Sequence, residues 1–159
     1  MLYKTYAKYY SSTKHLAVDE IIVPFKCRVI FILYIPKKHK RFGIKLYKLC
    51  DSKVYTYNMT VYLGKDRKRV TTSMTATHAN VTGLAARIEH VGQKLYMNSF
   101  FSSPALVDDL HTKTINYCGT VRPNRKGMPK DFGHKMRMKR GDLQIKVKGN
   151  LIAIVWKDK

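Results

Sequence analysis

The sequence predicts a mixed α/β domain built around one sheet, and three observations carry that expectation. Runs rich in Val, Ile, Leu and Tyr fill residues 16–23, 29–35, 43–51 and 53–63, the composition of half-buried and buried strands. Leu84, Ile88 and Val91, then Leu106 and Leu110, recur at helical spacing. Short strand-like runs at 94–98 and 115–121 alternate with those helices, so strands give way to helix–strand units. The 159 residues suffice for one domain. A hydrophobic share of 45% is ordinary for a globular chain and excludes a disordered basic tail.

Each element has its own signal. Residues 1–15, rich in Tyr and Lys without periodicity, predict a frayed lead-in. The strand at 16–23 carries Asp19 and Glu20 in its middle, and the strand at 29–35 ends at Pro36. Residues 43–51 alternate Ile44, Leu46 and Leu49 with lysines, and 53–63 pairs with them through a turn at Asp51 and Ser52. Gly43 and Gly64 are expected at tight turns. Residues 65–79 are polar and read as loop. Asn80 is the expected cap of the first helix, which Gly92 closes. Ser102 and Ser103 before Pro104 give a cap and first-turn signal for the second helix. Residues 122–141 read as a basic loop, and 144–147 with 151–156 as a hairpin around Gly149 and Asn150. No internal repeat or low-complexity segment interrupts the chain.

Charge narrows the partners. Thirty-one Lys and Arg face ten Asp and Glu, a formal net charge of +21. The excess is gathered at 37–41 (KKHKR), 65–69 (KDRKR), 122–126 (RPNRK) and 135–140 (KMRMKR). Each run lies near Pro or Gly, on loops and element ends where it can meet a polyanion. Backbone phosphate is the expected partner, because neutralising it releases counterions without reading sequence. Arg122, Arg125 and Lys126 are the first candidates for phosphate contact, followed by Lys37, Lys38, Lys40 and Arg41. The longest apolar run, VIFILYI at 29–35, is far short of a membrane span, so no membrane partner is expected. The N-terminus lacks the apolar core of a secretory leader. Cys27, Cys50 and Cys118 read as scattered reduced thiols of an intracellular protein, and no Cys or His pair has zinc spacing.

The acids are the candidate chemistry. An aspartate at the centre of a sheet can ligate a divalent cation, and it can equally be an ion-paired or exposed face residue; composition leaves both open. Five stretches add more: LAVDEIIVPFKCR (16–28), YIPKKHKRFGIKLYKLCD (34–51), LYMNSFFSSPALVDDL (95–110), CGTVRPNRKGMPKD (118–131) and GNLIAIVWKDK (149–159). In this order they resemble the piggyBac transposase family and the transposable-element-derived proteins related to it.

That resemblance implies an α/β fold of a particular kind: an incomplete RNase H-like mixed sheet with flanking helices (16–121) and a basic C-terminal hairpin insertion (122–159). It implies a core in which three aspartates hold two divalent cations, Mg in the intact family, that cut and join DNA in the nucleus. The first family aspartate corresponds to Asp19. The second corresponds to Asn98, in Tyr96-Met97-Asn98-Ser99-Phe100-Phe101-Ser102-Ser103-Pro104. The third lies beyond the strand matched by Trp156 and has no counterpart here, so the chain reads as a middle segment of the family's core. Asp19 is then a vestigial catalytic and metal residue and Asn98 a degenerate acid position. No cofactor is expected to remain. The function expected is a catalytically inactive, transposase-derived protein that keeps sequence-nonspecific DNA binding. A poorly folded remnant without function, and a split transposase or nuclease completed by a partner chain, stand as alternatives. One sheet face is expected to lie open, for a second copy or a protein partner to cover.

Overall fold

The computed structural model describes residues 9–36, 41–64, 74–132 and 136–158. Its mixed sheet contains β1 (His15–Pro24), β2 (Ile32–Tyr34), β3 (Phe42–Asp51), β4 (Thr56–Val61), β5 (Lys94–Met97) and β6 (Asn116–Gly119). Among the described residues two helices accompany it, α1 (Ala76–Ala85) and α2 (Pro104–Thr112), and β7 (Leu143–Lys148) with β8 (Leu151–Trp156) forms a separate hairpin. Strand β1 is central. It pairs antiparallel with β3, from Leu16↔Asp51 to Pro24↔Gly43, and parallel with β5, from His15↔Lys94 to Val18↔Met97. Beyond β5 lies parallel β6, reached through α2, and the far edge of β3 is shared by β2 and β4.

Alternation along the strands makes the core. Leu16 and Val18 of β1, Tyr47 and Leu49 of β3, and Leu95 and Met97 of β5 point to one face. There they meet Val81, Leu84 and Ala85 of α1, Leu106 and Leu110 of α2, and Ile88, Phe101 and Ile115. The opposite face carries no helix among the described residues. Ile21, Val23, Met59, Val61 and Tyr96 stand on it between 37% and 54% exposed. Asp19 is exposed and lies on this same face.

The elements depart from expectation where local signals competed. Helix α1 starts at Thr75, whose hydroxyl accepts from the His78 N–H at 3.2 Å, and Asn80 sits inside it. Thr and Asn both cap well, and the earlier one leaves Val81, Leu84 and Ala85 on the sheet side. Val91, expected on the apolar stripe, is 62% exposed. Of the run at 29–35 only Ile32–Tyr34 pairs, because the chain turns first, with the Ile32 N–H on the Val29 carbonyl at 3.2 Å. Gly43 serves a close strand crossing and not a turn, since a Cβ there would lie 2.3 Å from the Val23 carbonyl oxygen. Gly64 has φ +98, a left-handed backbone that favours glycine. Ser103 caps α2 with Pro104 in its first turn, as the sequence indicated.

The lead-in is held firmly from Tyr10 onward. The Tyr10 ring packs 4.0 Å from Tyr55, and its hydroxyl donates to the Asp51 carboxylate. The other Asp51 oxygen accepts from the Lys53 and Tyr55 N–H groups at 2.9 and 3.0 Å, closing the β3–β4 turn. Burial alone would raise this carboxyl, but those three hydrogen bonds and the Lys53 charge outweigh it and hold the group below its ordinary value. A lowered carboxylate stabilises the fold above the ordinary carboxylate range, and that contribution is lost as pH falls through it. Asp51→Ala is expected to cost about 2–3 kcal/mol at neutral pH. Urea melts should show the gap to the parent chain narrowing at about pH 3; an equal gap at both pH values would contradict this account.

Candidate functional site

The parallel register that sets Val18 beside Met97 carries the chain one step further on both strands, to Asp19 and Asn98. These residues, 79 apart in sequence, meet at the end of the β1–β5 pair. The Asn98 Nδ2 donates to Asp19 Oδ1 at 3.3 Å, and the same oxygen accepts from the Glu20 N–H at 2.8 Å. The orientation of the Asn98 amide is fixed by its other end. Its Oδ1 accepts from the Phe100 backbone N–H at 2.9 Å, and an N–H can only donate, so the NH2 must face Asp19. The Asn98 carbonyl in turn accepts from the N–H groups of Phe101 and Ser102 and from the Ser102 hydroxyl. Residue 98 thus organises the whole turn from β5 into α2.

Two cations brace that turn from beneath. The Lys45 ammonium lies 4.7 Å from the Phe100 ring centre, with Tyr47 at 5.1 Å and Tyr62 at 6.0 Å, and it pairs with Glu20 at 3.2 Å. Glu20 is therefore the inward-facing, ion-paired partner of outward-facing Asp19. Three ring faces and one carboxylate compensate an ammonium that water scarcely reaches. Burial, then Tyr62 and Glu20, push the Tyr47 hydroxyl up to about 12. On the other side, Arg125 donates to the carbonyls of Phe100 at 2.6 Å and Ser99 at 3.3 Å, while its buried Nε has no hydrogen-bond partner among the described residues.

The predicted phosphate-contact residues separate in space and in role. Arg122 and Lys126 are exposed, and among the described residues neither forms an ion pair. Arg125 lies between them in sequence, but its guanidinium is committed to the residue 99–100 carbonyls, a structural role with no local signal in the chain. Arg41 is exposed, and Lys37, Lys38 and Lys40 lie outside the described residues, as does the run at 65–69. Three acids elsewhere are engaged in ion pairs. Asp109 meets His78 and Lys113, Glu89 meets Lys113, and Asp131 meets Lys146. With ten acids against thirty-one Lys and Arg, most of the positive charge has no acid to pair with.

The donor set at Asp19 and Asn98 does not suit a pair of divalent cations. Such a site needs several carboxylates, and this one offers one carboxylate whose near oxygen already accepts two hydrogen bonds, opposite an amide that presents its NH2. Among the described residues, no group of three or more His, Cys, Asp or Glu could hold a metal ion.

Comparison with known proteins gives this geometry its setting. A family described as transposase IS4 matches residues 1–159. Among solved structures, that of a piggyBac transposase synaptic complex with hairpin DNA superposes with a TM-score of 0.82 at 27% identity. The match covers 94% of this chain and 32% of that one, so this chain spans about a third of that transposase's length. The mixed sheet with both described helices on one face has the RNase H-like architecture of the piggyBac catalytic domain. DDE transposases of this kind generally work with a divalent metal, Mg. The chain belongs to the transposase IS4 family, with a catalytic-domain fold of the piggyBac type.

Proposed function

We propose that this chain is a piggyBac-type, transposase-derived protein that has lost metal-dependent strand cleavage and keeps sequence-independent binding to DNA phosphates, acting in the nucleus. The observation that carries the reading is the Asn98 amide seated against Asp19. It stands where a second carboxylate would be needed and replaces a negative charge with a hydrogen-bond donor. An Asn oxygen can touch Mg²⁺, yet it supplies no charge to offset a second cation, and here that oxygen is already committed to Phe100. Support for DNA as the partner comes from the +21 charge, the uncommitted Arg122 and Lys126, and the synaptic complex with hairpin DNA that the fold resembles. Among the described residues neither helix presents a basic, groove-entering face, so the contacts expected are to phosphate and not to base edges.

Three measurements bear on this. Binding to duplex DNA should weaken steeply with salt, with a log–log slope near about −5 for roughly six phosphates. Arg122→Ala with Lys126→Ala should lower that slope by about 2. Salt-independent binding would contradict the reading. Supercoiled plasmid should stay intact with Mg²⁺ or Mn²⁺, and nicking that disappears in Asp19→Ala would sink the inactive assignment. Asn98→Asp places two carboxylates about 3 Å apart, raises the proton affinity of one and destabilises the fold at neutral pH. Its thermal midpoint should fall by about 2–4 °C, as about 1 kcal/mol gives in a domain of this size. Mn²⁺ should restore the midpoint in the variant and leave the parent chain unmoved. An equal response in both would show that the amide is no obstacle to the metal.

A further inference from the structure

Between α2, β6, the basic loop and the hairpin lies a cavity of about 370 Å³. Its walls include Val107 of α2, Tyr117 of β6, Met128 and Pro129 of the basic loop, and Leu151 and Ala153 of β8. All six are half-buried. Tyr117 is fixed in place by its hydroxyl, which donates to Ser102 Oγ at 2.7 Å, and burial raises the pKa of that hydroxyl. The rim is basic. Lys148 lines the cavity, is exposed and makes no ion pair among the described residues, whereas Lys146 beside it is bound to Asp131. The loop that supplies Met128 and Pro129 also carries exposed Arg122, Lys126 and Lys130.

An apolar slot with a fixed aromatic wall and cations at its mouth fits a flat, weakly polar body joined to an anion. We propose that this cavity receives a single unpaired nucleobase, with the flanking phosphates held by Lys148 and the exposed cations of the basic loop. The volume is within the range of small-molecule sites, and a base needs no shape beyond a planar slot with apolar walls. Stacking on an aromatic wall is tolerant of sequence, as is phosphate contact, so the pocket adds a preference for unpaired strands without adding base readout. This inference rests on the DNA-binding reading and names the form of DNA that binds best. The hairpin that forms one wall of the cavity is tied to the core by Lys146 to Asp131 and by Asn150 Nδ2 with His111 Nε2 at 2.7 Å.

The test compares fluorescence anisotropy for a short duplex, the same duplex with one bulged nucleotide, and the bulge made abasic. The parent chain should favour the bulged duplex by at least about fivefold, the lower end of what base stacking gives, and the abasic bulge should lose that advantage. Val107→Trp, which fills the slot, should erase the preference and leave duplex affinity and its salt slope unchanged. Should that variant fail to fold, Lys148→Ala replaces it and should weaken the bulged duplex more than the plain one. A 2-aminopurine at the bulge should change emission on binding as it stacks against Tyr117. Equal affinity for bulged, abasic and plain duplexes, with a steep salt slope, would overturn the pocket and leave phosphate binding standing. Absence of binding to every duplex would overturn both.

Discussion

The parallel pairing of β1 with β5 is the constraint on which the rest depends. It joins segments about 80 residues apart, fixes Leu16 beside Leu95 and Val18 beside Met97, and so fills the centre of the core. The same register delivers Asp19 to Asn98 at the strand ends, where no hairpin could have brought them together. Such pairing repays loop-closure entropy only once the apolar face is covered. The covering is done by α1 and α2. Gly119 on β6 permits the next parallel pairing, because a Cβ there would lie 2.0 Å from the Met97 carbonyl oxygen.

Charge is distributed by the same logic. Two cations are drawn inward to hold the turn at residues 98–102: Lys45 among three rings and Glu20, and Arg125 on two carbonyls. Among the described residues, Arg41, Arg122, Lys126 and Lys130 of the loops are exposed. Apolar surface is handled less completely. Leu143, Ile145 and Val147 stand opposite Trp156, Ile154 and Ile152 on one face of the hairpin, each at least 50% exposed. The open face of the main sheet adds Ile21, Val23, Met59 and Val61. Both faces belong to layers that a packed domain covers.

Much of this was legible in the residues. The strand runs, the Ser103–Pro104 helix start, the hairpin around Gly149 and Asn150, and Asp19 with Asn98 were all marked locally or by family likeness. What escaped the sequence was decided by tertiary contact. Thr75 and Asn80 are both good caps, and only the packing of Val81 and Leu84 selects the first. Gly43 looks like a turn glycine until Val23 is seen against it. Tyr10 carries no periodic signal, because its partner Asp51 lies 41 positions away. Arg125 is indistinguishable in sequence from Arg122, and differs because the carbonyls of residues 99 and 100 lie within its reach. The cavity could not be foreseen, being made by four separate segments.

The proposed function turns on the Asn98 amide, hydrogen-bonded to Asp19, standing in place of a metal ligand. Two backbone amides report on that pair directly: Glu20 N–H, which donates to Asp19 Oδ1, and Phe100 N–H, which donates to Asn98 Oδ1. Following both resonances through a Mg²⁺ titration of the parent chain is the most direct test. The account predicts that neither moves beyond the uniform drift caused by ionic strength. Saturable shifts at both amides together would show a cation seated between the two side chains, and would contradict it.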